Sequence, residues 1–186
     1  MPILIRSIWR SRACVHHEDT FTVVRFDQRG CGRSTGGGPF TIEQAVDDLD
    51  QVRAALGSDR WAVAGHSWGA ELALRYASRH QDRTTAVAYI AGVGAGNGFR
   101  EAFAAELDRR LGPTRSSGAA VNMTANRELW ADRESEDLRL AAARITCPVT
   151  MLFGADDPQP WTAADSLLAA IPNASRIVLD DAGHAP

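Results

Sequence analysis

The sequence predicts an α/β fold, a mostly parallel sheet flanked by helices. Three observations carry that expectation. Short β-branched apolar runs alternate with amphipathic helical stretches, a single region between 97 and 146 carries helical pattern alone, and a glycine-fenced serine stands where a strand-like run gives way to a helix-like one. Strands alternating with helices of 10 to 15 residues imply parallel strands joined by right-handed crossovers.

Taken in order, "FTVVRF" at 21–26 is short, β-branched and aromatic, and it runs into the turn-rich "DQRGCGRSTGGGP". It reads as a buried strand followed by a loop. Thr41 and Gln44 then have the spacing of a capping box, and Ile42, Ala45, Val46, Leu49, Val52 and Leu56 share one helical face that stops at Gly57. Residues 61–64 form the next strand, 67–79 a helix and 85–91 a strand. Between 97 and 146 "FREAFAAELDRRLG", "AAVNMTANRELW" and "SEDLRLAAAR" read as helices with no strand among them. The alternation resumes with a strand at 149–153, a helix at 161–171 and a last strand at 176–179 before "DDAGHAP". The expected organisation is a core of 1–96 and 147–186, its N-terminal strands missing or altered, around an all-helical cap insertion at 97–146.

The chain has 186 residues, of which 45% are hydrophobic and 23% charged, enough for one globular core. A net charge of -3 offers no basic footprint for nucleic acid or an anionic membrane. The expected partner is a small-molecule or short-peptide substrate, with no nucleic acid and no membrane. All 20 basic residues are Arg, so Schiff-base lysine, P-loop lysine and Ser-Lys chemistry are excluded by composition. Cys14, Cys31 and Cys147 are odd in number and lack CxxC spacing, which reads as free thiols in a reducing compartment and no zinc site. The N-terminal "MPILIRSIW" is too short and too interrupted by Arg6 for a signal segment, and no apolar run approaches ~20 residues. The expectation is a cytoplasmic protein.

The chemistry centres on "AVAGHSWGAELAL" at 62–74. A strand, then GxSxG, then a helix is the context of a nucleophile elbow, where the turn projects a serine hydroxyl above the sheet. Such a hydroxyl is a weak nucleophile until an imidazole takes its proton and a carboxylate orients that imidazole. In this architecture acid and base follow the serine on loops after later strands. Asp156 and Asp157 follow one strand and His184 the last one. His16, His17, His66 and His80 are the other candidate bases, but all precede the acid, and His66 is expected to pack or bond beneath the turn. Asp157 is preferred to Asp156 because the fourth residue of a GxxD turn returns toward the sheet edge; Asp180 and Asp181 read as loop carboxylates. The glycine runs meet no phosphate-loop pattern, and Asp27 and Arg29 are expected to brace their turn.

With those residues in place, "RFDQRGCGRS" (25–34), "GHSWGAELAL" (65–74), "YIAGVG" (89–94), "LFGADDP" (152–158) and "DAGHAP" (181–186) together resemble the α/β-hydrolase fold family, in its proline iminopeptidase type. The resemblance implies Ser67 as nucleophile, Asp157 as acid, His184 as base and the Trp68 backbone N–H as one oxyanion-hole donor, with no metal or organic cofactor. It implies a serine hydrolase that works through an acyl-enzyme on a small ester or amide, N-terminal aminoacyl or prolyl peptides included. The family's HGGPG segment has no counterpart in 1–20, and the chain stops two residues past His184, so a member shortened at both ends is expected. A catalytically impaired fragment, and cofactor-free perhydrolysis or carbon–carbon bond hydrolysis on the same residues, are the alternatives. Aminopeptidases of the family hold the substrate amine with cap carboxylates, for which Glu101, Glu106, Glu128 and Glu134 are available, although such residues are commonly solvated helix faces. Trp130 reads as a pocket wall or as core packing.

Overall fold

The computed structural model describes residues 3–7, 22–96, 100–111, 122–133 and 137–184. Six strands form one sheet in the order β2-β1-β3-β4-β5-β6, and every pairing is parallel. The strands are β1 (Ile3–Ser7), β2 (Thr22–Phe26), β3 (Trp61–His66), β4 (Thr84–Ile90), β5 (Val149–Gly154) and β6 (Ala174–Leu179). The helices are α1 (Ile42–Ala55), α2 (Trp68–Arg79), α3 (Arg100–Leu111), α4 (Met123–Asp132), α5 (Leu138–Ala142) and α6 (Asp165–Ala170). Cys14, His16, His17 and Glu134 lie outside the described residues.

β1 is the element that the sequence pattern did not predict. "ILIRS" pairs with both β2 and β3, inside the sheet. Three apolar residues followed by Arg6 and Ser7 are too short a run to carry a periodicity signal, so only the neighbouring strands identify it. The expected helix at 161–171 also differs: it opens as a 3-10 turn at Trp161–Ala164 behind Pro160, and α6 follows. Such tight turns are frequent at helix starts.

α1 forms for the expected reason. Thr41 Oγ1 accepts from the Gln44 backbone N–H at 3.1 Å, and Gly57 at φ 64° follows the helix end. The reciprocal arm of the capping box is replaced, since Gln44 Nε2 donates to Asp48 Oδ1 at 3.0 Å. Val46 and Leu49 of α1, Trp61 and Val63 of β3, Leu72, Leu74 and Tyr76 of α2, Tyr89 of β4, Met151 and Phe153 of β5 and Leu167 of α6 belong to one buried cluster. Trp61 and Tyr76 meet edge to face at 5.7 Å. Leu138 and Ala142 of α5, and Ile145 after it, join the same cluster.

α4 is fastened to the core at both ends. At its N-cap, Asn122 Nδ2 donates to the Gly30 carbonyl at 2.9 Å, while Asp132 in its last turn accepts from the Ile42 N–H at 2.7 Å. The second contact sets a carboxylate on the N-terminus of α1, where orphan N–H groups and the helix dipole favour an anion. Because every strand is parallel, the ends of β2 through β6 open on one edge of the sheet. Ligands of open α/β sheets bind at that edge.

Candidate active site

Ser67 sits between β3 and α2 with φ 55° and ψ -119°. An L-residue holds such a conformation at a cost of ~1–3 kcal/mol, and it persists only where the surroundings enforce it. Here enforcement comes from both sides. A Cβ on Gly65 would lie 1.8 Å from the Gly69 carbonyl oxygen, so the first turn of α2 rests directly on the backbone of β3. The Ser67 N–H donates to the Ile90 carbonyl at 2.9 Å, anchoring the turn to β4. Ser67 makes no side-chain cap to α2. Trp68 opens that helix, so its backbone N–H belongs to the first turn, which lacks intrahelical acceptors.

Asp157 and His184 come together. The carboxylate side chain is fully buried, and His184 Nδ1 donates to Asp157 Oδ2 at 2.9 Å and to Oδ1 at 3.1 Å. Asp157 Oδ1 also accepts from the Gln159 N–H at 2.8 Å, and the buried Gln159 amide donates to the Gly92 carbonyl beyond β4. A Cβ on Gly154 would lie 2.1 Å from the Ala182 carbonyl oxygen, so glycine at the end of β5 admits the loop carrying the histidine. The neighbouring Asp156 is exposed, and its N–H donates to that same Ala182 carbonyl at 2.9 Å.

The His184 ring lies 4.8 Å from the His66 ring and 5.3 Å from Phe103 of α3, centroid to centroid. That brings it beside the elbow. Among the described residues no hydrogen bond joins Ser67 Oγ to His184. His66 bonds the His184 carbonyl through Nε2. His80 is at the far end of α2, packed on Tyr76, about 18 Å along the helix axis from the elbow.

The remaining expected residues divide. Asp27 accepts from the Arg33 backbone N–H at 3.1 Å, which with the Arg33 side chain holds its carboxyl below the usual range, and Arg29 pairs with Asp48. Both brace the loop after β2. Glu101 and Glu128 are exposed, and Glu106 pairs with Arg109 on its own helix. Trp130 lies 5.2 Å beneath the Arg133 guanidinium. A cleft lined by Phe26, Gln28, Phe40, Gln44 and Leu129 follows β2 and α1, and none of Ser67, Asp157 and His184 lines it. Among the described residues no cluster of three or more His, Cys, Asp or Glu could hold a metal ion, and no helix is long and apolar enough to cross a membrane.

Sequence reasoning missed the buried ionic cluster behind the elbow. Glu71 of α2 is fully buried; Oε1 accepts from Arg75 Nη2 at 2.9 Å and Oε2 from Arg133 Nε at 2.6 Å. Arg133 Nη2 donates to the Gly94 carbonyl at 2.7 Å, and the Gly94 N–H donates to the buried Tyr89 hydroxyl at 2.9 Å. Burial raises the Tyr89 phenol well above its ordinary range. The legible signal was Glu71 and Arg75 at i,i+4 spacing among the otherwise mostly apolar residues 68–77 of α2. Gln159 had none.

A serine at a strained strand-to-helix turn and a His-carboxylate pair on loops after later strands are thus carried on one all-parallel sheet flanked by helices. The chain belongs to the alpha/beta hydrolase fold family, whose model matches residues 8–112. It is 47% identical to a proline iminopeptidase of Xylella fastidiosa over 73 residues, 38% of this chain and 23% of that relative. The match thus spans about a quarter of that relative's length. It is 28% identical to a putative carbamate hydrolase, RutD, of Cronobacter turicensis over an alignment 204 positions long, gaps included, that covers 89% of this chain and 74% of the relative. In fold it is similar to the enol-lactonase from Burkholderia xenovorans LB400, with a TM-score of 0.76, 23% identity, and coverage of 98% of this chain and 84% of that one.

Proposed function

We propose that the chain is a serine hydrolase in which Ser67 is the nucleophile, His184 the general base and acid, and Asp157 the group that orients His184. The observation carrying this reading is the buried Asp157 carboxylate accepting from His184 Nδ1 at 2.9 Å, with the imidazole packed beside the elbow. With Nδ1 donating to the carboxylate, Nε2 is left to accept the serine proton. Ser67 Oγ adds to the substrate carbonyl carbon as His184 takes its proton. The tetrahedral oxyanion is met by the Trp68 N–H, reinforced by the positive end of α2. Collapse breaks the bond to the leaving group, which takes the proton from His184, and an acyl-Ser67 ester remains. Water, deprotonated by His184, adds to that ester; the bond to Ser67 Oγ then breaks as His184 returns the proton to that oxygen, and the acid leaves.

The proposed substrate is a small molecule or short peptide with an ester, amide or carbamate carbonyl. The relatives' printed names, proline iminopeptidase and putative carbamate hydrolase, support carbon–nitrogen cleavage. The unpaired Cys31 and Cys147 support a reducing, cytoplasmic setting. A fluorophosphonate probe is expected to label the wild type and not Ser67→Ala; equal labelling of both overturns the nucleophile assignment. A panel of p-nitrophenyl acetate, a prolyl arylamide and a simple alkyl carbamate then ranks the substrate class.

A further inference from the structure

We propose that His66 is a positioning residue for the base: its ring Nε2–H donates to the main-chain carbonyl of His184 and so locks the base loop onto the nucleophile elbow. The inference rests on the roles given above to Ser67, Asp157 and His184, and it adds a fourth side chain with a distinct task.

Asp157 holds the His184 ring through Nδ1, but a ring held only at its edge still moves with its backbone. Two main-chain bonds, from the Ala155 N–H to the Leu179 carbonyl and from the Asp156 N–H to the Ala182 carbonyl, tie the loop to the acid turn as far as Ala182. At His184 itself the main chain is held by His66. His66 is the last residue of β3 and the immediate neighbour of Ser67, so this bond runs from the nucleophile's strand straight to the base's backbone. The two imidazoles also pack edge to face at 4.8 Å and 62°, with Phe103 of α3 also against the His184 ring.

The chemistry of the bond fixes the tautomer. A carbonyl oxygen only accepts, so His66 Nε2 must carry the proton. That nitrogen is therefore not free to act as a base toward Ser67, which separates the two histidines by role. A misplacement of about 1 Å between reacting groups can cost about 100-fold in rate, so loss of this tie lowers kcat while substrate binding persists.

The test compares two variants of the full chain on p-nitrophenyl acetate and in fluorophosphonate labelling. His66→Phe keeps an aromatic ring against His184 without the donor; His66→Gln keeps a terminal N–H at similar reach. The expected result is a fall of about 10- to 100-fold in kcat and in labelling rate for His66→Phe, with KM within about 2-fold, and recovery by His66→Gln to within about 3-fold of wild type. Equal loss in both variants, no loss in His66→Phe, or a loss confined to KM overturns the proposal. Imidazole 15N spectra of the wild type at neutral pH read the same bond without activity: an Nε2–H signal for His66 supports it, and an Nδ1–H tautomer overturns it even if a variant fails to fold. Labelling that survives Ser67→Ala overturns the functional reading instead, while the tautomer still reports on the bond.

Discussion

At the scale of single residues, the elbow serine is a trade between conformation and exposure. Ser67 is held at positive φ because Gly65 lets α2 rest on β3 and because its N–H is tied to β4. Glycine adopts that region without the Cβ penalty, so Ser67→Gly is expected to be more stable than Ser67→Ala by about 1 kcal/mol, read as a higher midpoint in urea unfolding. A serine selected for packing alone would give the opposite order. Asp157 and His184, the pair that the sequence singled out, meet in the structure. The GxxD turn and the histidine after the last strand are short-range patterns, and Asp157, not Asp156, is the one turned inward to His184. The partner of His66 was not legible, because 118 residues separate it from the carbonyl that it meets.

At the scale of elements, α2 does more than present the serine. Ten of its twelve residues, 69 through 78, are buried, Glu71 and Arg75 among them. Two guanidiniums share one carboxylate there, and the second comes from Arg133, just past the end of α4. Removing one member strands the others away from water. Glu71→Leu is therefore expected to cost about 3–5 kcal/mol, while replacing Glu71, Arg75 and Arg133 together with Leu, Met and Met is expected to recover most of that loss. Chemical denaturation of the two variants checks both halves. Helix positions, set by local apolar periodicity and caps, were legible to within a few residues from 42 onward. β1 and the Arg133 contact were not, since both are defined by chain-distant neighbours.

At the scale of the whole molecule, Asp50 joins α1 to α2 and to the turn before β4. It accepts from Arg53 Nε at 2.8 Å and from the Tyr76 hydroxyl at 3.0 Å, and it pairs with Arg83. Arg53 above all, with Arg83 and Tyr76, holds its carboxyl far below the usual range against the opposing effect of burial. The unfolded chain takes up this proton near pH ~4, and the folded one only at much lower pH. The resulting stability is complete above pH ~4 and is lost as pH falls from there toward the depressed native value. Asp50→Asn is expected to lower the melting temperature at pH 7 and to flatten its decline below pH ~4, as thermal melts across pH would report.

The two fastenings of α4 carry a consequence for exchange of parts among relatives. Asn122 on the Gly30 carbonyl and Asp132 on the start of α1 fix this helix as a strut of the core. Gly94, held by Arg133 and Tyr89, fixes the chain on the other side of α3. The stretch between those two borders, α3 included, is therefore expected to accept a relative's sequence with both borders kept, which the urea midpoint of such a chimaera checks. Phe103 carries a contact from that stretch to the His184 ring, so such an exchange is expected to change the surroundings of that imidazole.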